Sequence, residues 1–209
     1  MSLFTEIAAG AAAESPLWGD ALRPADRREE LPVFSALLTE PRFARGLETI
    51  YEGYLLHYGR SRLFEPPDED VALLLGDALL AQGLVLVAAT DVVAAVAVLA
   101  ELLALCTLAR ADGVDGDGAA WAATAALLGA GRLDDARTAL RDARDSVPLE
   151  RLARAAAALW LLADAASEGK KVVLSMLVVG LIFLAVILLG DLSHYTSTRR
   201  RRNKLDRPL

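Results

Sequence analysis

The sequence has little of what most catalytic and metal sites are built from: one cysteine, Cys106, and two histidines, His57 and His194. A lone cysteine cannot close an internal disulfide, and its apolar surroundings give Cys106 the role of a small buried hydrophobe. The histidines lie far apart in the chain, so no zinc set and no Cys–His nucleophile pair can be assembled. No useful length alternates apolar and polar residues with a period of two, which excludes a sheet. The first residues lack the basic, apolar and small-residue pattern of a secretory signal. From Val172 to Gly190 there is no charged residue at all.

That last absence is the main positive signal. The run V-V-L-S-M-L-V-V-G-L-I-F-L-A-V-I-L-L-G has Ser175 as its one strongly polar side chain, and a serine hydroxyl can bond back to its own helix. At ~1.5 Å per residue the run covers roughly the 30 Å hydrocarbon core of a bilayer. Lys170 and Lys171 stand at one end, able to snorkel to headgroups, and Asp191, His194 and Tyr195 mark the other. The tail beyond carries Arg199, Arg200, Arg201, Arg202, Lys204 and Arg207, which by the positive-inside rule places the C-terminus in the cytoplasm. The missing signal places the N-terminal domain there as well, and one straight span cannot satisfy both. A second span within Val71 to Ala109 would reconcile them. The simpler expectation is a single-pass cell-membrane protein with a cytoplasmic helical domain, its basic tail acting as a headgroup anchor.

Hydrophobic residues make up 55% of the chain and the mean hydropathy is +0.37. The net charge is −6 even with the basic tail included, which disfavours nucleic acid as a partner. The expected organisation is an N-terminal helix and linker over 1–25, a helical domain over 26–167, a joint over 168–171, the span over 172–190 and the tail over 191–209. Leu3 to Ala13 reads as a weak amphipathic helix and Glu14 to Pro24 as linker. Asp26 or a neighbour is placed to cap a helix through Leu38, and Pro41 to open one running to about Tyr58. Asp68 starts a helix to about Ala89, with Glu69 and Asp70 favouring its dipole. Thr90 and Asp91 form a turn and N-cap for a helix to about Ala111. Three more helices are expected at about Ala119–Leu128, Leu133–Asp145 and Pro148–Ser167. The helices around Leu73–Leu86 and Val92–Leu108 are apolar on almost every face and should form the central pair of a bundle.

Asp112, Asp115 and Asp117 share a glycine-rich loop, but the bidentate glutamate that a calcium loop needs at its twelfth position is replaced by alanine. A solvated acidic turn is the expectation. Gly129 to Arg144 resembles the turn and second helix of a tetratricopeptide repeat; with no second copy it reads as one helical hairpin, Asp134 and Asp135 falling in a first turn. Asp77 lies among Leu73, Leu74, Leu80, Ala81 and Leu84, so it is expected to be a buried structural acid. Its candidate partners are Arg42, Arg45 and the surroundings of Tyr54.

Ala72 to Thr90, A-L-L-L-G-D-A-L-L-A-Q-G-L-V-L-V-A-A-T, resembles the core helix of trans-polyprenyl diphosphate synthases, which carry G-D-x-L-L-A-x-A there and a second helix like Asp91–Ala109 behind it. Leu55, Leu56 and His57 match the lead-in to that family's first aspartate-rich motif, and Ala123–Leu127 resembles its later K-T-A-x-L segment without the lysine. The resemblance covers about Pro41 to Gly129. Prenyl transfer uses two facing aspartate clusters that hold magnesium against the diphosphate. Here Tyr58 and Gly59 stand where the first aspartates belong, Asp134 and Asp135 are followed by Thr138, and Asp68, Glu69 and Asp70 are adjacent acids that splay around a helix. The resemblance therefore implies a degenerate, non-catalytic member, comparable to the motif-poor subunit of two-component heptaprenyl diphosphate synthases. In such a member the acid matching Asp77 supports the bundle.

The expected fold is an all-α bundle of six or seven helices, isoprenoid-synthase-like but truncated, plus one C-terminal transmembrane helix. No catalytic, cofactor-binding or metal-binding residues are expected. The expected partners are the lipid bilayer and a protein. The expected function is a membrane-anchored polyprenyl-synthase-like subunit that binds a catalytic partner or a prenyl chain in isoprenoid or quinone biosynthesis. The alternative is a helical scaffold or assembly subunit of a membrane complex with no isoprenoid role.

Overall fold

The computed structural model describes residues 2–166, which belong to the first of two units into which the chain divides after Ala166. Val172–Gly190, with Lys170, Lys171, Arg199, Arg200, Arg201 and Arg202, lies outside the described residues. The described helices are α1 (Leu3–Glu14), α2 (Pro16–Asp20), α3 (Ala44–Tyr58), α4 (Glu69–Ala88), α5 (Val93–Ala111), α6 (Gly118–Leu127) and α7 (Leu133–Arg144). They are joined by α8 over 151–166. Among the described residues there is no strand, only an isolated antiparallel bridge between Leu22 and Phe64, so the chain is all-α at this level.

Local chemistry sets the helix ends. The Asp68 carboxylate accepts the Val71 N–H at 2.8 Å and caps α4, with Glu69 and Asp70 in the first turn beside the positive end of the dipole. Asp91 does not cap α5. It takes φ 61°, a left-handed geometry that aspartate tolerates, and ends α4 instead. The end of α5 is a Schellman closure: Gly113 adopts φ 73°, its N–H donates to the Arg110 carbonyl at 3.0 Å, and the Val114 N–H donates to Ala109 at 2.8 Å.

The expected helix from Asp26 to Leu38 is absent. Residues 23–43 form a strap with only short 3-10 turns at Ala25–Arg27, Ser35–Leu37 and Pro41–Phe43. The backbone donors a helix would need at Val33, Phe34 and Ser35 all donate to the Glu48 carboxylate of α3. The N-terminal stretch is no detached linker either. Phe4, Ile7 and Ala11 of α1 are buried against Leu63, Phe64, Leu75 and Leu79, and Pro16–Asp20 turns into the short α2.

The closest helix pair is α3 with α4. Each carries two glycines one heptad apart, Gly46 and Gly53 on α3, Gly76 and Gly83 on α4. A Cβ on Gly53 would stand 2.7 Å from the Gly76 carbonyl oxygen, and one on Gly83 would stand 2.8 Å from that of Gly46. The helices thus touch backbone to backbone and run antiparallel, Gly53 meeting Gly76 and Gly46 meeting Gly83.

The main core is built around α5 and takes in Leu47, Ile50 and Tyr54 of α3. Leu99, Leu102, Leu105 and Cys106 are fully buried there with Trp121, Leu127, Leu140 and Leu159. α7 packs chiefly on α5 rather than on α6. Glu101 of α5 takes Arg141 and Arg144 of α7, the latter at 2.9 Å.

Both α4 and α5 are long and apolar enough to cross a membrane, and they lie where a second span was considered. α5 is nevertheless the central helix of the domain. α4 lies at its edge, with Leu73, Leu74 and Val85 exposed. Asp77 follows from that placement, and the expectation of a buried acid is corrected: its side chain is 74% exposed. The glycines decide which face of α4 turns inward. One residue past Gly76, a ~100° step around the helix carries Asp77 outward. Arg42 pairs with Glu40 and Arg45 with Glu6, so neither serves it.

Gly53→Ala is expected to cost about 1–3 kcal/mol, because backbone on both helices must separate. Gly118→Ala meets nothing within 4 Å and should be neutral or stabilising by up to ~1 kcal/mol. Urea unfolding of both variants checks this; equal midpoints would show that α3 and α4 are not in backbone contact.

Candidate functional site

Two polar clusters lie inside the described domain. The first is built on α3, where Glu48 and Glu52 are one turn apart and both wholly buried. Glu48 Oε1 accepts three consecutive backbone N–H groups, from Val33 at 3.0 Å, Phe34 at 3.1 Å and Ser35 at 3.0 Å. Its Oε2 accepts Arg62 Nη2 at 2.8 Å. Glu52 accepts Arg62 Nε, the Ser61 hydroxyl at 2.7 Å and the Arg62 backbone N–H at 3.2 Å. Arg62 Nη1 donates to the Leu31 carbonyl at 2.7 Å, and the guanidinium stacks 4.9 Å from the Phe4 ring and 5.3 Å from the Tyr51 ring. Every carboxylate oxygen already holds a donor from within the chain. The cluster fastens the strap and α1 to α3, and offers no free acid or base.

The second cluster joins α3, α5 and the 112–118 loop. The Tyr54 hydroxyl donates to Asp117 Oδ2, and Arg110 Nη2 donates to Asp117 Oδ1 at 3.1 Å. Arg110 also pairs with Asp115, and Arg151 with Asp112. The loop is therefore not simply a solvated acidic turn: Asp117 is buried, and arginines hold all three acids. Phe34, Tyr51, Tyr54 and Trp121 line the cluster's inner side, Phe34 stacking on Trp121 with 5.9 Å between centroids. Burial first, and then the hydrogen bond to Asp117, raise the Tyr54 hydroxyl above its ordinary value near 10. The buried Trp121 indole N–H has no conventional acceptor. The Tyr51 and Tyr54 rings pack against the indole, 5.1 and 5.3 Å from its ring centroid.

Of the residues matched to the synthase motifs, His57 and Asp77 come together, while the acids at 68–70 and 134–135 serve elsewhere. His57 Nε2 lies 3.1 Å from Asp77 Oδ1 at the α3–α4 crossing, where the imidazole is mostly buried and the carboxylate exposed. Asp68 is spent on capping α4, and Asp135 pairs with Arg132 at 2.9 Å at the start of α7. Tyr58 and Gly59 occupy the end of α3. Among the described residues no three or more His, Cys, Asp or Glu side chains are grouped to hold a metal ion. Glu48, Glu52 and Arg62 were missed in the sequence. The signal available was a pair of acids at i and i+4 on a helix that otherwise buries apolar side chains.

The largest unused feature is apolar. Along α4 the outward line is Leu74, Ala81 and Val85, flanked by Leu73, with Val93 exposed at the start of α5. Ala13 and Glu14 at the end of α1 form one wall of a shallow groove over Ala78, Ala81, Gln82 and Val85. No protein-family model, curated protein or solved structure matches this chain.

Removing Arg62 strands two buried carboxylates. Arg62→Met is expected to cost about 3–5 kcal/mol; a loss below ~1 kcal/mol in chemical denaturation would show the network to be dispensable. A pH dependence follows from Tyr54. Its folded value lies above its unfolded one, so its contribution is complete below about pH 10 and is lost as pH rises further. The melting temperature should fall above pH 10, and Tyr54→Phe should flatten that fall while costing ~1–2 kcal/mol near neutrality. An unchanged alkaline slope in the variant would refute the assignment.

Proposed function

We propose that this chain is a non-catalytic helical subunit held at a membrane, which binds another protein through the outward face of α4. The observation that carries this is the exposure of Leu74 at 57% and Val85 at 67%, on a helix whose opposite face is committed to the α3 backbone. Apolar surface of this kind on an edge helix marks an interaction site. Its rim narrows the choice of partner. No lysine or arginine stands between Arg62 and Arg110, while Asp68, Glu69 and Asp70 stand at the start of α4, Asp77 on its surface and Asp91 just past its end. Such a rim turns away anionic lipid headgroups and favours a protein helix with basic residues beside its apolar stripe.

The membrane part of this reading is a single anchor at Val172–Gly190 with the domain on the cytoplasmic side, and it rests on the sequence of that run. The internal chemistry supports a scaffold. The acids and arginines of the two clusters are engaged with one another, and their arrangement fastens elements together. The resemblance of 41–129 to trans-polyprenyl diphosphate synthases gives the narrower form, in which the bound component is a catalytic synthase subunit or a prenyl chain.

Photo-crosslinking of the full chain in its native membrane tests the reading. A benzophenone amino acid at position 74 or 85 should yield a discrete protein adduct, and one at exposed Asp142 on α7 should yield none. Adducts to lipid alone would move the proposal to a prenyl or acyl ligand. No adduct from either α4 position would overturn it.

A further inference from the structure

A second exposed apolar line lies on α8 and the turn before it. α8 buries Leu152, Ala155 and Leu159 against the core. The opposite side presents Leu149, Ala153, Ala157, Trp160 and Leu161, with Leu149 80%, Trp160 44% and Leu161 72% exposed. The same side also carries Arg154, which pairs with Glu150 at 2.8 Å, and the exposed Asp164. Trp160 is the most exposed of the three tryptophans, since Trp121 is wholly buried and Trp18 partly so. A tryptophan with an apolar body and a polar N–H favours the boundary between acyl chains and headgroups.

We infer that this face of α8 lies in the headgroup region of the bilayer, so that α8 is an interfacial helix. The inference rests on the membrane reading above and adds a surface to it. Six Cα steps separate Ala166 from Val172, at most about 22 Å even when fully stretched, so an anchor starting at Val172 keeps the end of α8 within that reach of the bilayer. Lys170 and Lys171 are the next charged residues after Glu168 and suit anionic or zwitterionic headgroups, unlike the acidic rim of α4. A helix with one side in the protein core and Leu, Ala and Trp on the other is suited to lie in the interface plane.

The full chain reconstituted into phosphatidylcholine vesicles, with and without lipid brominated near the top of its acyl chains, gives the test. Co-flotation in high salt reports the anchor, and bromine quenching of tryptophan emission reports the face. The expected result is co-flotation with partial quenching that disappears in Trp160→Phe and weakens in Leu161→Glu, while both variants still float. A chain that floats but is not quenched, or is quenched equally in Trp160→Phe, overturns the inference and leaves the anchor standing. A chain that does not float overturns both. Trp160 emission that is shielded from bromine but blue-shifts with protein density would assign the face to a second protein chain instead.

Discussion

The backbone contact between α3 and α4 is the constraint from which the rest of the domain follows. Two glycines per helix bring the chains together where any side chain would hold them apart. That fixes the rotation of α4 about its axis, so Gly76 and Gly83 face α3 while Leu75 and Leu79 meet α1. The remaining side of α4, with Leu74, Asp77 and Val85, is left outward. The rotation of α3 is fixed by the same contact. Its acids Glu48 and Glu52 then lie toward the strap and Arg62, and its Tyr51 and Tyr54 toward Trp121.

The buried charges act in the way such groups most often do, as fasteners. A glutamate that takes three successive backbone N–H groups replaces the hydrogen bonds of a helix that would otherwise form there. Arg62 then links that glutamate to Glu52 and covers Phe4 with the flat of its guanidinium. Well-satisfied polar networks of this kind select one arrangement of chain over others more than they add net stability.

Helix existence was legible in the sequence wherever caps and breakers were strong. Asp68 with its acidic first turn, Gly113 after α5 and Pro41 before α3 each mark a boundary the structure keeps or shifts slightly. The strap was not legible, because what unmakes its helix is a carboxylate more distant in sequence than any local pattern reaches. Nor was the facing of α4. Its apolar residues surround the axis, so periodicity has nothing to point with; only the glycine spacing carries the direction, and it means little until the same spacing on α3 is set beside it. For that reason Asp77 reads as interior among its leucines and yet lies at the surface. The arginine-bound state of the 112–118 loop depends on Arg110 and Arg151, which come from two separate helices.

The docking of α1 has a consequence for synthesis. The helix is made before its shelter, since the surface that covers Phe4, Ile7 and Ala11 consists of Leu63, Phe64, Leu75 and Leu79 and the Arg62 guanidinium. Until α4 has been translated and has closed on α3, the leading segment has no place to settle. The α3–α4 hairpin, whose contacts span fewer residues than those of α1 with α4, can form without α1; α1 must wait for it. α1 is thus enclosed only after residues made well after it, and its apolar side chains stay open to chaperones or to a neighbouring membrane during that interval.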